Sequence, residues 1–350
     1  MKLLLISPKQ ENSGGGIAVW TDIFLDNCDA NGICVRLLNT AAIGARLENG
    51  SAKRNILDEV KRTAGIFRAL KRQIKAEKYD AVHLNTSCGE FGIIRDYLTA
   101  KRIKKKQPEA RLIVQYHCDI PVQIRSDRAK KYLGKLLSLA DKNLVLCTTS
   151  AQYLKNNYGR DSVTVPNFMN EKQVFEGERE INPKIKRAFF VGRVQKSKGA
   201  PEIYELARRM PDIEFRLAGA LSSAMAEITP PKNVTLLGPT DHDAVLSEMD
   251  LADIFIFPSH TEGFSVALME SMARGLPAVA TSVGANADML SAGCGSIVPV
   301  GDVDGMVSAI EKMAARDVRE SMSKNALARV RKSYVTSAVM ERFVKEYKGI

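Results

Sequence analysis

Eleven short apolar runs recur along the 350-residue chain, and helical segments or loops fall between them. In the first half they are Lys2–Ile6, Cys34–Leu38, Ala81–Leu84, Leu112–Gln115 and Leu144–Cys147. In the second they are Ala188–Val191, Glu214–Ala218, Asn233–Leu236, Ile254–Phe257, Pro277–Thr281 and Ser296–Val298. The runs read as mainly apolar and uninterrupted rather than alternating. A strand with one wet face shows a period of two, whereas a continuous apolar run suits a strand covered on both faces. Buried strands interleaved with helices are the pattern of a parallel sheet wound with helices on both sides. The expected fold is therefore α/β, with two Rossmann-like, doubly wound domains.

The strand–helix rhythm occurs twice. Between the two copies lies Asn167–Pro183, rich in Glu, Asn and Pro and without periodicity. The expected division is an N-terminal domain over 1–166, a linker over 167–183, a second domain over 184–336 and a C-terminal helix over 337–350. That helix carries an apolar stripe at Val339, Met340, Phe343, Val344 and Tyr347, suited to packing back on the first domain. Residues 56–75 read as another helix, with Ile56, Val60, Ala64, Phe67, Leu70 and Ile74 on one side. Its stripe can pack on a sheet or lie at a lipid headgroup interface; the pattern fits both.

Charge divides unequally between the halves. The net +11 resolves into 28 Lys+Arg against 16 Asp+Glu over 1–165, a balance of +12, and 23 against 24 over 166–350, a balance of −1. The first half is thus expected to face an acidic partner: anionic lipid, a phosphorylated acceptor or nucleic acid. No run reaches the ~18 apolar residues of a membrane span. The opening run is too short for a secretory signal, and a cytoplasmic location follows as the expectation. Cys28, Cys34, Cys88, Cys118, Cys147 and Cys294 are scattered, with neither a C-x-x-C pair nor a histidine at ligand spacing, and read as reduced core residues.

Three segments carry chemistry. Gly14-Gly15-Gly16 follows the first strand and precedes a helix, where backbone amides can approach a phosphate; an exposed turn would use the same glycines. Gly192-Arg193 ends a strand, and Lys198-Gly199 follows before a helix. This sets two cations at the sheet edge where ligands bind in open α/β folds. The third segment, Phe257-Pro258-Ser259-His260-Thr261-Glu262-Gly263-Phe264-Ser265, leads from a strand into a helix containing Glu270, and Gly275 and Pro277 end that helix. Amides of Gly263, Phe264 and Ser265 then lie at its positive end. Asp302-Val303-Asp304 stands where a helix begins and reads as an N-cap, not a metal site.

Taken together, the E-x7-E segment from Glu262 to Glu270, Gly192-Arg193 with Lys198-Gly199, the Gly14–Gly16 loop and Val165-Pro166-Asn167 resemble family 4 of the retaining glycosyltransferases, which have the GT-B fold with two domains facing a central cleft. The resemblance implies that Arg193 and Lys198 hold the donor diphosphate, that Glu270 binds the ribose hydroxyls, and that Glu262 with the Gly263, Phe264 and Ser265 amides holds the transferred sugar. It further implies that Gly15 and Gly16 approach the phosphate and that His117, in Gln115-Tyr116-His117-Cys118, lines the reaction centre. Ser265 stands where the family more often has Gly.

The implied activity is transfer of a hexose-type sugar from a nucleoside-diphosphate sugar to an acceptor hydroxyl, with retention and front-face attack. No cofactor or divalent metal is expected, since Arg193 and Lys198 supply the positive charge. Family frequency favours a UDP-sugar. A lipid-linked or surface-glycan acceptor and an anionic membrane surface, at the inner face of the membrane, are the expected partners. The rival reading, a nucleic-acid binder using Lys101–Lys106, lacks interleaved aromatics and leaves the two glutamates unexplained.

Overall fold

A computed structural model describes residues 1–9, 16–41 and 56–349, with Ile56 and Leu57 represented by backbone. The chain forms two compact units, Met1–Phe168 with Thr336–Ile350, and Met169–Val335.

The first unit holds β1 (Lys2–Ser7), β2 (Cys34–Asn39), β3 (Ala81–Thr86), β4 (Arg111–Tyr116), β5 (Lys142–Val145) and β6 (Val163–Thr164), in the parallel order β2-β1-β3-β4-β5-β6. Every residue of β3 is buried, the polar His83, Asn85 and Thr86 included. The two-residue β6 was absent from the sequence reading, being too short to make a pattern. One face of the sheet is covered by Trp20 and Phe24 of the Gly16–Asp26 helix and by Val339, Met340, Phe343 and Tyr347 of the Thr336–Lys348 helix. Trp20 and Phe343 meet edge to face at 5.6 Å between centroids. The C-terminal helix is therefore part of the first unit's core. Its Tyr347 hydroxyl also bonds His83 Nδ1 on β3 at 2.6 Å.

On the other face, the Ile56–Ala76 helix buries Ile66 and Leu70, with Phe67 and Ile74 packed alongside. Its stripe packs within the unit, which decides between the two possibilities left by the pattern. Val60 corrects the expectation, because it stays 60% exposed. Arg62 on the same helix is half-buried: its guanidinium bonds the Thr40 carbonyl and pairs with Glu59 at 3.2 Å. Cys34 is a further correction, since it is exposed while the other five cysteines are buried thiols.

The second unit holds β7 (Arg187–Val191), β8 (Glu214–Ala218), β9 (Val234–Gly238), β10 (Ile254–Phe257), β11 (Ala278–Thr281) and β12 (Gly295–Val298), in the parallel order β12-β11-β10-β7-β8-β9. Phe189, Phe190, Phe215, Phe255 and Phe257 fill its centre. Asp302 caps the Val303–Lys312 helix, its Oδ1 accepting the Gly305 N–H at 2.8 Å. Residues 169–183, read from sequence as linker, are fastened to this unit. Arg179 donates to the carbonyls of Met249, Asp250 and Arg274, and Phe175 N–H donates to Ala273 O. Such side-chain-to-backbone bonds hold an aperiodic segment without leaving a trace in hydrophobic patterning.

Candidate active site

In a doubly wound sheet the chain reverses its direction of strand addition once, and the two strands flanking that point send their following loops to opposite sides and open a crevice. In the second unit, β7 and β10 flank the reversal. The loop after β7 carries Arg193 and Lys198, and the loop after β10 carries Glu262. Two segments 64 residues apart are thus brought to one edge because their strands are neighbours.

The loops are tied together at several points. Lys198 Nζ donates to Glu262 Oε1 at 2.5 Å, and Ser259 Oγ donates to the same oxygen at 2.7 Å. Lys198 and Glu262 are 28% and 12% exposed, so the pair is largely but not wholly shielded from solvent. Glu262 Oε2 takes no hydrogen bond from the described residues and remains available as an acceptor. His260 N–H donates to Ser197 O at 3.0 Å, and His260 Nε2 lies 2.6 Å from Glu202 Oε1. Gly199 has φ +78°, and a Cβ there would sit 2.2 Å from Pro258 O, so only glycine allows the two loops to touch. Arg193, at the end of β7, is exposed and makes no hydrogen bond or ion pair among the described residues.

Beyond Glu262 the chain enters the Val266–Ala273 helix. The amides of Gly263, Phe264 and Ser265 donate no hydrogen bond within the described residues, leaving three N–H groups at a helix start where the dipole is positive. Their backbone is braced from outside: Gly263 O accepts the Ala285 N–H at 3.0 Å. Gly284, at φ +52°, lies so close that a Cβ would fall 2.5 Å from Gly263 O and 2.6 Å from Glu262 O. Ser265 Oγ is buried and donates to Asn286 Oδ1 at 2.6 Å, so its amide faces the site while its hydroxyl serves the core. The Phe264 ring is likewise buried, edge-on to Tyr334. Glu270, further along the helix, is a nearly buried carboxyl whose pKa is pushed up by burial, with His242 opposing the rise.

Against this geometry the comparisons with known proteins can be set. The profile described as Glycosyltransferase Family 4 matches residues 14–173, and that described as Glycosyl transferases group 1 matches residues 171–329. The chain belongs to this glycosyltransferase family. The family 4 chain is 24% identical over 311 residues to a 2-deoxystreptamine N-acetyl-D-glucosaminyltransferase of Niallia circulans, covering 78% of the chain and 77% of that protein. It is 23% identical over 268 residues to the capsular polysaccharide biosynthesis glycosyltransferase CapM of Staphylococcus aureus, covering 65% and 70%. Among solved structures it superposes on the sucrose-phosphate synthase of Thermosynechococcus elongatus with a TM-score of 0.75 at 17% identity, covering 99% and 98%. The Anabaena protein HepE, solved with UDP and glucose, superposes at 0.73 and 14%, covering all of both chains. The fold is GT-B.

In the first unit of this glycosyltransferase, His117 follows β4, and its ring meets Trp20 edge-on at 5.3 Å. His117 Nε2 is shut off from solvent without a hydrogen-bond partner among the described residues. Burial, and to a lesser degree His83, hold its pKa down at about 3, so the ring is neutral at physiological pH. Gly16 opens the Gly16–Asp26 helix; Gly14 and Gly15 lie outside the described residues. Sequence reasoning missed Ser259, Gly284, Asn286, His260 with Glu202, and His242. For Gly284, after β11, nothing in its sequence neighbours says that it presses on the Glu262 backbone.

Proposed function

We propose that the chain transfers a hexose-type sugar from a nucleoside-diphosphate sugar to an acceptor hydroxyl with net retention. The observation that carries this reading is the Lys198–Glu262 pair at the β7–β10 reversal, beside an unengaged Arg193 and three unengaged amides. An anion and a polyol are the ligand that such a set fits. Lys198 and Arg193 hold the diphosphate and stabilise the charge that develops as the anomeric C–O bond breaks. Glu262 Oε2 and the Gly263–Ser265 amides hold the sugar hydroxyls, and Glu270 takes the ribose diol. The acceptor oxygen bonds to the anomeric carbon on the face the diphosphate leaves, and its proton passes to the departing phosphate oxygen.

These fixed cations supply the charge that a divalent metal would otherwise provide, and the reading is of a metal-independent enzyme. A UDP-sugar donor is favoured by the solved HepE complexes with UDP and UDP-glucose. The capsular relative favours a glycan or lipid-linked acceptor. The exposed Lys101, Lys105, Lys106, Arg125, Arg128 and Lys131 favour an anionic membrane surface beside the first unit. No helix among the described residues is long and apolar enough to cross a membrane.

The test is a panel of UDP-, GDP- and ADP-sugars assayed for slow acceptor-free hydrolysis in EDTA, with the released anomer read by NMR. One donor hydrolysed with its configuration kept supports the reading. Loss of activity in EDTA that manganese restores removes metal independence, and an inverted product removes retention. Stabilisation by oligonucleotides but by no nucleoside diphosphate would favour the nucleic-acid alternative.

A further inference from the structure

Glu270 is poorly placed to stay ionised on its own. Its side chain is 15% exposed, and among the described residues the one ionisable partner facing it is His242, whose Nδ1 lies 3.7 Å from Glu270 Oε1. His242 is the first residue of the His242–Leu251 helix, whose N-cap Asp241 accepts the Ala244 N–H at 2.8 Å, so its backbone is anchored. The opposite edge of the imidazole, Nε2, lies 3.4 Å from Nε2 of Gln173.

The orientation of the Gln173 amide is settled by its other end. Gln173 closes the short turn Glu171–Gln173, and its Oε1 accepts the Asn170 N–H at 3.1 Å, one half of a capping box. With the carbonyl oxygen committed to Asn170, the NH2 group faces His242, and an NH2 group only donates. His242 Nε2 must therefore present a lone pair. The proton of the neutral ring is then on Nδ1, aimed at Glu270.

We infer that Asn170, Gln173 and His242 form a positioning relay for Glu270, in which the Nδ1–H of His242 orients the carboxylate so that it can accept the ribose diol. The inference rests on the reading of Glu270 as the ribose acceptor. At 3.7 Å the His242–Glu270 contact is longer than a hydrogen bond, and it closes when the nucleotide loads the carboxylate. The relay begins at the second residue of the second unit, so a segment that reads as connector in the sequence contributes directly to donor binding.

The experiment has two readouts on the full-length protein. Long-range 1H–15N correlation spectra, with the His242 signal identified by its loss in His242→Asn, report the tautomer: the Nδ1–H form is expected in the native chain. A shift toward the Nε2–H form is expected in Gln173→Ala. Calorimetry then gives Kd for UDP, GDP and ADP, with the tightest used further, and for its 2′-deoxy analogue. His242→Ala is expected to weaken the ribonucleotide about tenfold, the loss of one hydrogen bond to a charged group. His242→Asn, whose amide N–H lies near the place of Nδ1–H, recovers most of that affinity, and the loss in His242→Ala is smaller for the 2′-deoxy analogue, which offers Glu270 one hydroxyl in place of two. An Nε2–H tautomer in the native chain overturns the relay. So does unchanged binding in His242→Ala when Glu270→Ala weakens it. Unchanged binding in Glu270→Ala, or no nucleotide binding at all, removes the ribose reading and the relay with it.

Discussion

Replacing Gly199 with alanine tests whether the contact between the two loops positions the Lys198–Glu262 pair proposed to act on the donor. A side chain at φ +78° costs about 1–2 kcal/mol in backbone energy alone. The added Cβ would also meet Pro258 O at 2.2 Å and Pro258 Cγ at 2.5 Å, and backbone must move to relieve it. Ordinary carbon–oxygen separation requires a shift on the order of 1 Å. Gly199 adjoins Lys198, and Pro258 begins the loop that ends in Glu262, so the shift separates two atoms now 2.5 Å apart. A misplacement of about 1 Å typically costs ~100-fold in rate, and this is the expected loss of kcat/KM. The total destabilisation of roughly 2–4 kcal/mol lowers Tm by about 5–15 °C for a unit of this size. Gly301→Ala is the control: φ is +77° there, but nothing lies within 4 Å of the added Cβ. It should lose the backbone term and keep its activity. Turnover of donor substrate and calorimetric Tm are measured on both variants below their transitions. If Gly199→Ala retains kcat/KM within about threefold of the native chain, the loop contact does not position the pair and the reasoning fails.

Four further outcomes are expected. Arg193→Ala and Lys198→Ala should each lower kcat by ~100–1000-fold with the fold intact by circular dichroism, and near-native turnover in either removes its charge-stabilising role. Because burial raises the Glu270 pKa, ionising it costs the folded state stability at every pH above the unfolded value near 4.3, a cost absent below it. Glu270→Gln should therefore raise the Tm of the unliganded protein at pH 7 while weakening nucleoside-diphosphate binding, and a lower Tm contradicts the argument. His117, held near 3 in the fold, resists a proton that the unfolded chain accepts below about 6.5, so stability is full above that pH and falls between about 6.5 and 3. In His117→Gln the decline of Tm across that window should be shallower, and an unchanged slope refutes the assignment. The protein should float with liposomes as anionic lipid increases at low salt and detach at high salt; flotation independent of lipid charge would leave a soluble acceptor as the better account.

The outlines of the fold could be read directly. All eleven runs proved to be strands; Ile254–Phe257 matches residue for residue and is buried throughout, and Glu214–Ala218 matches too although Glu214 and Arg216 are only partly buried. The E-x7-E segment and Lys198-Gly199 were visible as candidates because helix starts and strand ends have local chemistry: glycine, a cation, a carboxylate at fixed offsets. Misreadings arose where tertiary contacts override local pattern. Val60 shares the spacing of the Ile56–Ala76 stripe yet is exposed, since which arc of a helix is covered depends on what packs against it. Residues 169–183 have no periodicity, but Arg179 fastens them by bonds to backbone carbonyls, which no spacing encodes.

The sequence alone determined the candidate groups, two cations and one carboxylate on loops after parallel strands and a second carboxylate, Glu270, in the helix that follows. Only the tertiary structure decided which of these meet. Strand order made β7 and β10 neighbours and so paired Lys198 with Glu262 across 64 residues. It set Gly284 against the Glu262 backbone, turned the Ser265 hydroxyl inward to Asn286, and placed His242 between Gln173 and Glu270. The physical reason is one of range. Propensity, capping and amphipathicity act over a few residues and are written in spacing, whereas hydrogen bonds across loops depend on sheet topology, which a linear pattern leaves open among several orders.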